Sequence, residues 1–452
     1  MTKMKHNRLK DTQAIWIPKI PEYWDLIKVR HLFKETTIKG FPDEPLLVAS
    51  QEHGVVNKNV FGKRTMEATK DFHLLKLVEE GDFVISLRSF QGGIELAHQR
   101  GIISPAYTIL KERTPINKRY FKHLFKSKPF ISLMTLCVKG IRDGQNIDYP
   151  TFKNEYLPFP PIEEQEKIGA YLDRKTQQIQ EFIQKKERLI ELLEDRRKAE
   201  IHKLITHGIN KDVELINTGI SWFDKIPKHW ELKKLKHFAD HVQRGSSPDY
   251  VNDIGIPVIS QAVFSAGFID KAKFKFQKNQ NIESFKGRLF YNDVLVASTG
   301  GGVLGKSFLF EIDGNYIADG HVTIIRDTKK RFVPAFLNYI LSINFSLIEG
   351  YLGQGSTNQT ELQREWFRNM LFPFPSLEEQ EEIVDTIKKI NNEVDKAISK
   401  AQTEIEKARE YQESLITQVV TGQLKVPEKN YSIIKNNKVM NMVAEPSNTY
   451  QS

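Results

Sequence analysis

Cysteine is all but missing from this chain: 452 residues hold one, Cys137. A single thiol excludes an intrachain disulfide and a cysteine-based zinc site. No apolar run approaches bilayer-spanning length. The segment "MTKMKHNRLKDTQ" has basic residues but no apolar stretch behind them, so no secretory signal is expected. A cytoplasmic protein without membrane contact fits these absences. Catalytic signatures are missing as well. The twelve histidines are scattered, with no His-Glu-x-x-His and no nucleophile elbow. No catalytic residue and no metal site are expected.

What is present is a duplication. "IWIPKIPEYWDLIKVRHLF" (15–33) returns as "SWFDKIPKHWELKKLKHFA" (221–239), with Trp16, Ile20, Pro21, Trp24, Leu26 and His31 matching Trp222, Ile226, Pro227, Trp230, Leu232 and His237. "LPFPPIEEQEKI" returns as "LFPFPSLEEQEEI", with Pro158 on Pro373 and Gln165 on Gln380. The chain therefore reads as two copies of one unit, an aromatic-proline lead-in, a globular part and a long helix.

The helices are expected at about Glu163–Thr206 and Glu378–Thr421. Each follows prolines that suit a helix start but not its interior, and each opens with acidic residues that suit the positive end of the helix dipole. Each would be about 66 Å long at about 1.5 Å per residue. On the second helix Ile387, Val394, Ala401, Ala408 and Leu415 fall seven apart, with Ile383, Ile390, Ala397, Glu404 and Tyr411 as companion row. On the first, the rows are Leu172, Ile179, Leu193 and Ile168, Phe182, Leu189, interrupted by Lys175, Lys186, Arg196 and Glu200, with Ile183, Ile190, Ile201 and Ile205 alongside. Such stripes predict that the two helices pack on one another.

Between these landmarks lie short β-like runs, "EPLLVAS", "GDFVISL" and "SPAYTILK", then "IPVIS", "NDVLVAST", "SFLFE" and "HVTIIR". Helical patterns follow each set, "NKRYFKHLFKSKPFISLM" and "PAFLNYILSINFSLI". The expected fold class is α/β: two mixed α/β domains joined by two long helices packed as an antiparallel coiled coil, with an internal pseudo-two-fold repeat. The boundaries read as 1–155 for the first domain, 156–207 for its helix, 208–220 for a connector, 221–371 for the second domain, 372–424 for its helix and 425–452 for a polar tail.

Charge separates along the same lines. The two helical stretches together carry −5, so the rest of the chain holds +14 of the overall +9. Positive charge on globular parts beside a neutral or acidic scaffold suits a polyanion-binding protein.

"GGGVLGKS", Gly300–Ser307, fits the phosphate-loop pattern and follows a strand, but a true phosphate loop feeds a helix. Here Ser307 leads into "FLFEIDGNY", which reads as a second strand, so a glycine-rich hairpin tip is expected. An ATPase using this loop, and a scaffold whose helices are its whole function, remain competing readings. For a DNA reader the candidates are polar loop tips: Gln51, Arg88, Ser89, Gln91, Arg142, Gln145 and Asn146 in the first domain, and Arg244, Ser246, Ser247, Gln261, Thr299, Lys306, Gln354, Thr357 and Asn358 in the second. Arg suits guanine, Asn and Gln suit adenine, and Ser, Thr and Lys suit phosphates.

Taken together, the two "IPxxW" lead-ins, the two Glu-Glu-Gln helix starts and the endings "LITHGI" and "VVTGQL" resemble the specificity subunit of type I restriction-modification systems, from about Trp16 to Leu424. "GDFVISLRSFQGGIE" and "NDVLVASTGGGVLGKS" look like parts of that family's target-recognition domains. The resemblance implies a non-catalytic subunit that reads a split, asymmetric site on double-stranded DNA. It implies as partners two DNA methyltransferase subunits carrying S-adenosylmethionine and two restriction subunits using ATP and magnesium, with no cofactor in this chain. The long helices would act as a ruler between the half-sites.

Overall fold

The computed structural model describes residues 8–51, 53–58, 71–87, 89–139, 146–220, 222–251, 254–278, 281–343, 353–354 and 361–427. The chain divides into two compact units, one made of 1–186 with 403–452 and the other of 187–402. The first is discontinuous in sequence; the second is a single stretch.

In the first unit, Asp25–Lys28 of the aromatic lead-in pairs antiparallel with Tyr156–Phe159, bringing Leu26 opposite Pro158. In the second, Glu231–Lys234 pairs with Leu371–Phe374 and brings Leu232 opposite Pro373. The central sheets share an order too. Phe33–Thr36, Thr108–Glu112, Phe83–Ile85 and Glu95–Leu96 lie side by side in the first unit, and His241–Arg244, Val322–Arg326, Asp293–Ala297 and Ser307–Phe310 in the second. All neighbours in both sheets are antiparallel. Asp82 and Asp293, each opening its strand run, fold back to accept from the Glu79 and Phe290 amides at 2.9 and 2.8 Å. The second unit adds a four-stranded sheet of Tyr250–Val251, Lys275–Gln277, Ile256–Ile259 and Ile317–Ala318.

Two local expectations change. The helical pattern over 117–134 is broken into Lys118–Leu124 and Lys128–Leu136, because Pro129 cannot donate within a continuous helix and sits in the first turn of the second piece. The expected connector 208–220 contains a strand, Leu215–Ile220, which pairs with Phe223–Pro227 much as Leu9–Asp11 pairs with Lys19–Pro21. The expected polar tail lies outside the described residues from position 428 onward.

The long helices run Ile162–His207 and Leu377–Val420. In the first unit, Ile168, Tyr171 and Leu172 of one share a core with Leu415, Ile416, Val419 and Val420 of the other, and Lys186 meets Glu404. In the second unit, Ile205 shares a core with Ile383, Val384 and Ile387, and Arg197 meets Asp395. As one helix advances the other recedes, so within each unit the two run in opposite directions.

The expected rows are kept in part: Ile387, Val394, Ala401 and Leu415 are buried, as are Ile383, Ile168 and Leu172. Phe182, Leu189 and Tyr411 are 41%, 40% and 52% exposed. Ile383, Val394, Ile405 and Ile416, eleven apart, also stay buried along the second helix, as do Leu172, Ile183 and Ile205 on the first. A seven-residue step drifts by about 20° per repeat on a straight helix, which carries Phe182 and Tyr411 off the face, whereas eleven residues match about 3.67 per turn.

Each helix is fastened to its globular part by the glutamine of Glu-Glu-Gln. Gln165 Oε1 accepts from the Asn117 amide at 2.9 Å and its Nε2 donates to Pro160 O at 2.9 Å. Gln380 Oε1 accepts from the Val333 amide at 2.8 Å and its Nε2 donates to Pro375 O at 3.0 Å. Both side chains are fully buried. Each receives an amide that precedes a helix of the globular part, Lys118–Leu124 or Pro334–Ile343, and returns a bond to its own proline lead-in.

Candidate nucleic-acid interface

The glycine-rich segment is settled by strand pairing. Asp293–Ala297 and Ser307–Phe310 form an antiparallel hairpin, so Ser307 enters a strand and the loop feeds no helix. Gly300, Gly302 and Gly305 have φ of 87°, 78° and 84°, a region where side chains are strained, which accounts for the glycines as hairpin chemistry. Lys306 Nζ donates to Ser265 O at 3.1 Å.

Around this hairpin the second unit gathers several predicted residues on strand ends. Thr299 follows strand Asp293–Ala297 and forms a bridge to Glu361. Its Oγ1 lies 3.3 Å from Gln261 Oε1 and 3.0 Å from His321 Nδ1. Gln261 opens the short helix Gln261–Phe264, and His321 sits in the turn before Val322–Arg326, where its amide donates to Asp319 Oδ1 at 2.9 Å. Beneath them Ser298 is fully buried and shares a 2.6 Å hydrogen bond with Thr323. Burial pushes the Asp319 carboxyl above its ordinary range, partly offset by the His321 amide, His321 and Lys275. Ser247 is exposed beside Gly320.

Other predicted residues are spent on structure. Arg244 donates to Ser298 O and Leu362 O, both at 3.3 Å, and pairs with Glu361 at 3.5 Å; its guanidinium stitches strand ends together. Ser246 Oγ is buried without a partner among the described residues. Gln354 lies in a short strand opposite Glu361, and Thr357 and Asn358 lie outside the described residues.

In the first unit, Gln51 and Gln91 are exposed and line one cleft of about 750 Å³ with His53, His98, Lys126 and Arg409. Lys126 Nζ holds the cleft wall by donating to Gln51 O, Gly92 O and Glu95, at 3.1 and 2.8 Å for the carbonyls. Burial raises the Glu95 carboxyl, and Lys126 opposes that rise. Ser89 departs from expectation. It is 1% exposed and its Oγ accepts from the Ser86 amide at 2.8 Å, so the hydroxyl shapes the loop. Asn146 is exposed on a two-stranded ribbon opposite Lys139. Arg88, Arg142 and Gln145 lie outside the described residues.

Sequence reasoning missed His321, Asp319 and the basic row Lys271, Lys273, Lys275 and Lys278. The row carries no acid between its members and all four lysines are exposed, Lys275 with its Nζ 5.2 Å from the Tyr250 ring centre. The alternating "KAKFKFQK" was the available signal for it. His321 had none beyond its place before "HVTIIR". Among the described residues no group of His, Cys, Asp and Glu could hold a metal ion, and no helix is long and apolar enough to cross a membrane.

Residues 227–407 match the family model described as the type I restriction modification DNA specificity domain. The chain is 22% identical over 429 residues to the MjaVIII type I restriction enzyme specificity subunit of Methanocaldococcus jannaschii, covering 91% of this chain and 96% of that one. It is 24% identical over 327 residues to the EcoBI specificity subunit of Escherichia coli, covering 68% and 66%. Among solved structures, a chain of a type I R-M system studied for complex assembly and conformational transition superposes with a TM-score of 0.68 at 16% identity, over 90% of this chain and 99% of that chain. The HsdS subunit of Thermoanaerobacter tengcongensis superposes at 0.57 and 16%, over 90% and 98%. Residues 227–407 thus match a type I restriction modification DNA specificity domain, and along most of its length the chain is similar to specificity subunits of type I restriction enzymes.

Proposed function

We propose that this chain reads a bipartite, asymmetric site on double-stranded DNA, one half per unit, and docks two methyltransferase and two restriction subunits. S-adenosylmethionine would belong to the former, ATP and magnesium to the latter, and the whole would act in the cytoplasm. The observation that carries this reading is the shared strand order and lead-in register of two units whose polar surfaces differ in sequence. In it, residues 1–155 and 221–371 are the two target-recognition domains, and 156–207 and 372–424 form an antiparallel coiled coil that spaces them, related by an internal pseudo-two-fold. Residues 208–220 form the connector and 425–452 the tail. Gln51, Gln91 and Asn146 in one domain, and Ser247, Gln261 and Thr299 in the other, are the described candidates whose positions support DNA contact. Arg88, Arg142, Gln145, Thr357 and Asn358 stay in the proposal on sequence grounds.

Exchanging residues 34–150 for another recognition domain is expected to change one half of the methylated site and leave the other intact. A change in both halves would count against separable readers. Nucleotide binding lost on Lys306→Ala would favour an ATPase instead, but a Lys306 amine held on Ser265 O beside a β-hairpin weighs against that alternative.

A further inference from the structure

The hydroxyl of Thr299 stands between an amide and an imidazole, 3.3 Å from Gln261 Oε1 and 3.0 Å from His321 Nδ1. Among the described residues neither Gln261 nor His321 makes another side-chain hydrogen bond, and His321 is exposed. The mounts of all three are fixed by backbone bonds. The Ser298 amide donates to His321 O at 2.8 Å, the Leu362 amide to Ser298 O at 2.9 Å, and the Val263 amide to Ser260 O at 3.0 Å. A hydroxyl donates one proton, so it cannot serve two acceptors at once.

This couples the polarity of the trio. When Thr299 donates to Gln261 Oε1, its oxygen accepts from His321 Nδ1–H. Gln261 then keeps a free N–H and His321 Nε2 a free lone pair. When Thr299 donates to His321 Nδ1, the imidazole proton sits on Nε2, and the Gln261 amide turns to donate to Thr299 and frees its carbonyl. In either state the outer edge carries one donor and one acceptor, with the sides exchanged. Adenine presents an acceptor, N7, beside a donor, N6–H, in the major groove; guanine presents two adjacent acceptors.

We propose that Gln261 and His321, set in register by Thr299 as a positioning residue, read an adenine edge in the half-site of the second unit. This rests on the DNA-reading function proposed above and assigns His321 a specificity role. A mount fixed by backbone bonds beneath an exposed His321 and a half-buried Gln261 is what a reading element requires.

The test is selection of bound duplexes from a randomised library by the full chain and its variants. The unaltered chain is expected to select a bipartite sequence; failure to select any sequence would overturn the DNA-reader function itself. Given selection, Thr299→Val and His321→Asn are each expected to lower discrimination at one adenine by about tenfold or more, with other positions unchanged. Thr299→Ser, which keeps the hydroxyl, is expected to restore it. Gln261→Glu, which removes the free donor, is expected to lose preference at that same position. The proposal is overturned if discrimination is unchanged in Thr299→Val and His321→Asn, if the affected base is guanine, or if all positions weaken equally while Thr299→Ser gives no rescue.

Discussion

Lys186 Nζ lies 2.6 Å from Glu404 Oε2, so the charged break in the stripe of one long helix answers the charged break in the other. Both side chains are about a quarter to a third exposed, a setting in which a lone charge is costly and a pair roughly neutral against apolar replacements. Lys186→Met is expected to lower unfolding stability by about 1 kcal/mol by stranding Glu404. The double change to leucine is expected to recover or exceed the original value. Denaturant melts of the four proteins in a double-mutant cycle check this, and additive losses would refute the pairing.

The glutamine clamps predict effects confined to one unit each. Gln165→Leu leaves the Asn117 amide and Pro160 carbonyl without their partner, and Gln380→Leu does the same to Val333 and Pro375. Each is expected to cost about 2–3 kcal/mol. Hydrogen exchange should rise around residues 117–124 in the first variant and 334–343 in the second. Faster exchange in the other unit would mean the clamp acts differently.

The junction of Asp173 with Lys122 and His123 makes stability depend on acid. Burial pushes the Asp173 carboxyl up, but hydrogen bonds from His123 and Lys122 and the Lys122 charge outweigh it and hold the carboxyl at about 2. An unfolded Asp titrates near about 3.9, so the contribution is complete above about pH 4 and is lost as pH falls toward 2. His123, pushed down chiefly by burial, works in the same direction from about pH 6.5 downward. Asp173→Asn is expected to remove about 1–2 kcal/mol at pH 7 and to flatten the acid limb of a stability-against-pH curve.

The row Lys271, Lys275 and Lys278 suits phosphates, which position DNA without selecting its sequence. Replacing all three by glutamine should weaken binding to every duplex alike. It should lower the slope of log affinity against log salt by about 3, near 0.9 per phosphate contact. A changed preferred sequence would contradict the assignment.

Length changes in the helices should follow the eleven-residue spacing of the buried faces. Matched insertions of eleven residues keep Ile383, Val394, Ile405 and Ile416 in phase and add about 16 Å. They should widen the spacer of the methylated site while leaving both half-sites unchanged. A spacer of unaltered length would defeat the ruler.

The lead-ins and helix starts were legible because one chain carries them twice, and residues such as Gln165 and Gln380 mark the same demand at two places. The reading of Ser307 as the start of a strand held because "SFLFE" has no helical continuation. What escaped depends on three-dimensional neighbours. Phe182 and Leu189 fit a seven-residue count, but their exposure follows from where the partner helix lies. Arg244 has the chemistry to bind guanine, yet Ser298 O and Leu362 O occupy it. His321 became visible as a candidate when the Thr299 hydroxyl was found beside its ring.

One consequence of the discontinuous first unit concerns synthesis. Its core takes Leu415, Ile416, Val419 and Val420 from the second long helix, and Tyr120 Oη donates to Val420 O at 3.0 Å inside it. A nascent chain therefore completes the core of its earlier-made lobe only when these residues arrive, whereas the described core residues of the second unit all come from within 187–402. The later half of the message is expected to mature first, and pulse-labelled chains arrested near residue 402 should resist protease in the second lobe alone.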